Sequence, residues 1–205
     1  MARAVAFFCF WRMVAGSEAP HPLAGGCSPA ERAALLDVAR AAIRAAVAGR
    51  SPPVHDLPAR LDVEAGVFVS LHDARAELRG CVGTVVPNAP LGILVGRMAV
   101  AAATRDPRFA PLEPGELDGL TIEISVLAPL TRIDATNLEP ARHGVCLRLG
   151  RQGAVLLPQV AAHFGWDRET LLRHLCEKAG LTADAWRDPG ATLEAFTVET
   201  VEGRF

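Results

Sequence analysis

Gly66-Val67-Phe68-Val69-Ser70-Leu71, the polar run from His72 to Glu77 and the stretch from Leu78 to Val86 together decide the fold class of this 205-residue chain. The first and third segments carry the β-branched and aliphatic residues that suit extended backbone. The polar run between them suits a turn. Strand, short polar turn and strand predict an antiparallel hairpin.

Upstream of the hairpin, Ser28-Pro29-Ala30-Glu31 reads as a capping box with proline at the first helical position. Leu35, Ala39, Ala42, Ile43, Ala46 and Val47 then recur at helical spacing, and Gly49 is placed to end that helix. Arg50 to Arg60, with Pro52, Pro53 and Pro58, is a connecting loop. Downstream, Pro87 and Pro90 frame a loop into a second helix, Leu91 to Thr104, which Pro107 prevents from continuing. Leu120 to Leu127 alternates strictly, with Thr121, Glu123 and Ser125 on one face and Ile122, Ile124 and Val126 on the other. His143 to Leu149 and Ala154 to Leu157 predict another strand pair. A third helix runs from an Asp167 cap to Gly180, and Leu193 to Val201 reads as a closing edge strand. The expected fold is α+β, a mainly antiparallel sheet flanked by helices.

Composition narrows the function classes. A net charge of −2 gives no electrostatic drive toward nucleic acid or an anionic membrane, so neither is expected as a partner. The chain has 5 cysteines without a Cys-x-x-Cys pair, and its 6 histidines show no metal-ligand spacing. A disulfide framework and a dedicated metal site are not expected, a reducing, cytoplasmic location is, and no residue pattern names a cofactor. Residues 1–27 read as an unstructured extension or an upstream mis-start. The apolar stretch Ala4 to Trp11 leaves a short export signal as the other reading, and it is too short to span a bilayer, which takes about 20 apolar residues.

The run Leu78-Arg79-Gly80-Cys81-Val82-Gly83 stands out because glycines inside a strand mark a bend or a close approach. Alternation places Arg79 and Cys81 on one face. A cation beside the thiol would favour the thiolate, making Cys81 a candidate nucleophile, with Gly80 and Gly83 leaving room for a ligand. The competing reading is a small buried hydrophobe. Glu123 is a candidate general acid or base or a partner for Arg79, and His143 a candidate base. Arg105 and Arg108, around Asp106 and Pro107, could fork onto a carboxylate or phosphate, or close a local turn by their own ion pairs. Phosphate-loop, dinucleotide, nucleophile-elbow and zinc-protease signatures are absent.

These residues also carry a family likeness. Leu78 to Thr84, Asp106-Pro107-Arg108-Phe109, Glu123 to Leu127, His143-Gly144-Val145, Leu157-Pro158-Gln159-Val160-Ala161, Phe164-Gly165-Trp166-Asp167 and Leu175 to Leu181 occur in the order found in AMMECR1 domains, the A component of AmmeMemoRadiSam systems. The chain resembles that family from residue 28 to residue 205, with Val82 where isoleucine is usual. The resemblance implies a larger and a smaller lobe with a cleft near the cysteine motif, and an activity that is undefined. It also implies MEMO-like and radical SAM proteins as partners. Within it, Cys81, Arg79, Glu123 and His143 are the catalytic candidates, and Gly80, Gly83, Arg108 and Gln159 the candidates for binding a small molecule.

Overall fold

A computed structural model of the chain describes residues 22–23, 25–53 and 57–205. The expectation for residues 1–27 falls largely outside them. Of that segment, Leu23 and Cys27 are buried and belong to the first core, ahead of the Ser28 cap.

The chain forms two compact units. The larger comprises the described residues up to Ala128 and the terminal segment Glu199–Phe205. Its first helix, α1 (Pro29–Val47), starts with the predicted box: Ser28 Oγ accepts from the Glu31 amide, and the Glu31 carboxylate accepts from the Ser28 amide. The hairpin strands are β1 (Val67–His72) and β2 (Leu78–Thr84), joined by a turn in which Asp73 Oδ1 accepts the amides of Arg75 and Glu77. Helix α2 (Leu91–Thr104) and strand β3 (Thr121–Leu127) follow. The sheet order is β2-β1-β3 and then β8 (Val198–Arg204), with β1 antiparallel to both neighbours.

Alternation divides this sheet into two faces. Val67, Val69, Leu71, Ile122, Ile124 and Val126 are fully buried in one core with Leu35, Ile43, Leu94, Val95 and Ala99 of the two helices. Each such side chain contributes about 1.5–3 kcal/mol of transfer free energy, so the apolar face sets where the helices lie. The opposite face carries Phe68, Ser70, Cys81, Gly83, Glu123 and Ser125.

The second unit comprises Pro129–Val198 among the described residues. Its sheet has the order β4 (Thr131–Arg132), β7 (Thr192–Phe196), β5 (Gly144–Leu149) and β6 (Gln152–Leu156). Helices α3 (Pro158–Phe164) and α4 (Arg168–Lys178) complete it, and Val145, Leu147, Leu156, Leu172 and Leu175 lie in its core. Asp167 caps α4 as expected. Two features differ from the reading of the sequence. The Leu157–Phe164 block contains a helix, which is too short to show periodicity. The single closing strand is broken at Thr197: β7 joins this sheet and β8 the other, an exchange of neighbours that alternation alone does not encode.

Candidate functional site

The site is built where the C-terminus of α2 meets the free edge of β2. Gly80 is buried on the helix side of the sheet, and a Cβ added there would collide with the Ala102 carbonyl of α2. At Gly83 an added Cβ would run into the Phe68 ring, which crosses from β1. Close approaches signalled by the two glycines are thus made within the protein, by the Ala102 carbonyl and the Phe68 ring. Gly80 lets α2 settle on β2, which carries the residues just after the helix to the strand edge.

Asp106 is one of these residues. Its side chain is only 3% exposed. Oδ2 accepts from the Cys81 amide at 2.9 Å and from Arg108 Nη2 at 2.6 Å; Oδ1 accepts from the Arg108 amide at 3.1 Å and Arg108 Nε at 2.9 Å. An outward amide on an edge strand would otherwise lack a ladder partner, and the carboxylate supplies one. Burial pushes the Asp106 carboxyl up, but the hydrogen bonds from Arg108 and the Cys81 amide outweigh it and hold the group below its ordinary value. Arg108 is correspondingly held in its charged form, first by Asp106 and, more weakly, by Cys81. Its Nη2 also donates to the Cys81 carbonyl at 3.3 Å. Of the two readings open for the Arg105–Phe109 segment, the local ion pair is the one formed.

Because the Cys81 amide points outward, Cys81 and its partner Ser70 on β1 form a non-hydrogen-bonded pair, the kind whose side chains lie closest. Ser70 Oγ donates to Cys81 Sγ at 3.2 Å. Ser70 is in turn opposite Glu123 on β3. Cys81, Ser70 and Glu123 thus make one row across the polar face, and Ser125 Oγ donates to Glu123 Oε1 at 3.4 Å from the next row. Cys81 is half-buried, whereas Cys27, Cys146 and Cys176 are buried.

Arg79 does not serve the site as expected. It grips Glu116 with Nε at 2.8 Å and Nη2 at 3.1 Å, and donates through Nη1 to the Ala110 carbonyl at 2.7 Å. It ties β2 to the loop after Phe109, and the bidentate bond holds the Glu116 carboxyl below its ordinary range. The expected Arg79–Glu123 pair is replaced by Arg79–Glu116, and the guanidinium beside Cys81 belongs to Arg108. His143 and Gln159 lie in the other unit, at the start of β5 and within α3. His143 Nδ1 accepts from the Glu139 amide at 3.1 Å, and burial lowers its pKa, so the neutral ring carries its proton on Nε2.

Ser70 and Asp106 are the site residues that sequence reasoning missed. A lone serine among Val67, Phe68, Val69 and Leu71 was the available signal for one, and Asp-Pro after a helix, which favours a side-chain-closed turn, for the other.

The Asp106 arrangement sets a pH dependence. A carboxyl held low in the fold adds stability that is present above its unfolded value of about 3.9 and lost as pH falls through the folded value. In urea melts, Asp106→Asn should be less stable than the wild type by a constant margin above about pH 5, and that margin should shrink below about pH 4. A margin unchanged down to pH 3 would show that Asp106 does not carry this dependence.

The AMMECR1 family profile matches residues 36–201. A protein of Thermococcus gammatolerans is 40% identical over 163 residues, 75% of this chain and 80% of its own. One from Nanoarchaeum equitans is 33% identical over 176 residues, 82% of this chain and 98% of its own. The crystal structure of an uncharacterised protein of Pyrococcus horikoshii matches with a TM-score of 0.77 at 34% identity, covering 83% of this chain and 90% of that one.

Proposed function

The chain belongs to the AMMECR1 family, and from that premise we propose that the row Cys81–Ser70–Glu123 is a thiol-centred catalytic site acting on a small molecule. Cys81 is the nucleophile. Ser70 orients it, Arg108 places a positive charge beside the sulfur, Glu123 is the carboxylate that exchanges a proton with the substrate, and Asp106 is a positioning residue. The observation that carries this reading is the hydrogen bond from Ser70 Oγ to Cys81 Sγ, in a half-buried residue whose peptide is clamped on both sides by Asp106 and Arg108. A sulfur that accepts a hydrogen bond near a guanidinium is in surroundings that favour thiolate.

The test is alkylation by iodoacetamide at pH 6, resolved by residue. An ordinary thiol, with a pKa of about 8.5, is almost wholly protonated there. Cys81 should react about tenfold faster than 2-mercaptoethanol at that pH. Cys27 and Cys176, whose thiols burial pushes up, should stay unlabelled until the protein unfolds. Ser70→Ala should slow the reaction. A Cys81 as inert as the buried cysteines would sink the proposal and favour a second reading, an accessory protein working with MEMO-like and radical SAM partners. That reading draws on an exposed aromatic stack: Phe164, 61% exposed, lies 5.1 Å from the Trp166 ring, which lies 4.2 Å from His174. Aromatic surfaces of this kind are common at protein interfaces.

A further inference from the structure

We infer that the Cys81 site takes a small ligand bearing a carboxylate, which docks on the open end of the Arg108 guanidinium and is presented to the thiol. The inference rests on the reading of Cys81 as a reactive thiol and adds the class of ligand to it.

The guanidinium is a planar fork of five N–H donors, and their directions are fixed relative to one another. In Arg108 the edge made by Nε and Nη2 is engaged by Asp106, at 2.9 and 2.6 Å. The other N–H of Nη2, at the end of the fork, turns to the Cys81 carbonyl at 3.3 Å. Nη1 donates to no oxygen among the described residues. In a planar fork one Nη1 N–H runs parallel to that end-on Nη2 N–H, so a donor that no protein oxygen occupies lies alongside Cys81, whose side chain the guanidinium also meets. The Phe109 ring lies under the guanidinium with its centroid 5.3 Å from Cζ, and this contact and the Asp106 grip hold the plane in place. The side chain is 43% exposed to solvent.

Charge decides the ligand class. Asp106 offsets much of the Arg108 charge, so the open end acts as a directed, charge-assisted donor. Glu123 stands two strands from Cys81 on the same face, about 10 Å away by strand spacing, and weighs against a dianion such as phosphate. A singly charged carboxylate is the anion that suits both. The guanidinium that β2 itself carries does not compete, because Arg79 is held by Glu116, Ala110 and Pro111.

Iodoacetate and iodoacetamide test this on the full chain, since they deliver the same carbon to sulfur and differ in carboxylate against amide. Rates at Cys81 are read by mass spectrometry and divided by those of 2-mercaptoethanol. The normalised preference for iodoacetate should be about tenfold, the size of one charge-assisted hydrogen bond, and the iodoacetate rate should saturate. Arg108→Gln should return the preference to that of the free thiol. If that variant does not fold, protection of wild-type Cys81 by acetate against iodoacetamide provides the same readout. A wild-type preference equal to that of the free thiol overturns the carboxylate assignment and leaves the thiol reading standing. A raised preference that survives Arg108→Gln overturns the assignment to Arg108. No modification by either reagent overturns the thiol reading and this inference with it.

Discussion

Asp106→Ala is expected to lower the unfolding free energy by about 3 kcal/mol, the range for removing one partner of a buried, hydrogen-bonded ion pair, with some relief because Arg108 is partly exposed. The carboxylate accepts four hydrogen bonds, two of them from the backbone amides of Cys81 and Arg108. Alanine leaves both amides, and the inward edge of the guanidinium, without an acceptor. Chemical denaturation at pH 7 measures the loss. A cost below about 1 kcal/mol, the value of a single ordinary hydrogen bond, would mean that water replaces the carboxylate and that Asp106 does not organise the site. Asp106→Asn should recover part of the stability, since its amide oxygen can still accept from the Cys81 amide.

Gly80→Ala should be comparably damaging, by about 3 kcal/mol, for a different reason. Gly80 does not have a left-handed backbone, so alanine adds no dihedral strain there. What it adds is a methyl group in the position of the Ala102 carbonyl. The obstacle is backbone within α2, which no rotamer change can move aside, so the strand and helix must separate. The separation would also draw Asp106 from the Cys81 amide, and the variant should therefore lose the distinctive Cys81 alkylation rate along with stability. Gly96→Ala on the same helix is the control. An added Cβ there meets Val38 at 3.7 Å and Ala42 at 3.9 Å, ordinary contact distances, and a mid-helix glycine costs about 0.5–1 kcal/mol relative to alanine. Gly96→Ala should stabilise the protein. Equal melting behaviour for the two variants would refute the steric account of Gly80.

Much of the architecture was legible because its signals act over a few residues. Ser28 and Glu31 close their box within one helical turn, Pro107 ends α2 by removing a donor, and the alternation of Thr121 to Leu127 assigns each side chain to a face whatever lies beyond it. The site was legible in place more than in wiring. Strand alternation predicts Arg79 and Cys81 on the same face, but the β1–β2 register shifts at Arg79, between the Leu71–Gly80 and His72–Leu78 pairs, and alternation does not choose a partner. Arg79 is drawn to Glu116, 37 residues downstream, and the charge beside Cys81 comes from Arg108, 27 residues away.

By itself, then, the amino-acid order determined the hairpin, the caps and ends of the principal helices, the apolar stripe that joins α1 and α2 to the first sheet, and the family. Those follow from local sterics, capping and the burial of one face, which are properties of short segments. Only the tertiary structure decided that the final strand divides between two sheets, that the glycines of the cysteine motif admit Ala102 and Phe68, and that Asp106 meets the Cys81 amide. The physical reason is range. Hydrogen-bond partners must lie within about 3 Å of one another, and which distant segments come that close is set by how whole elements pack.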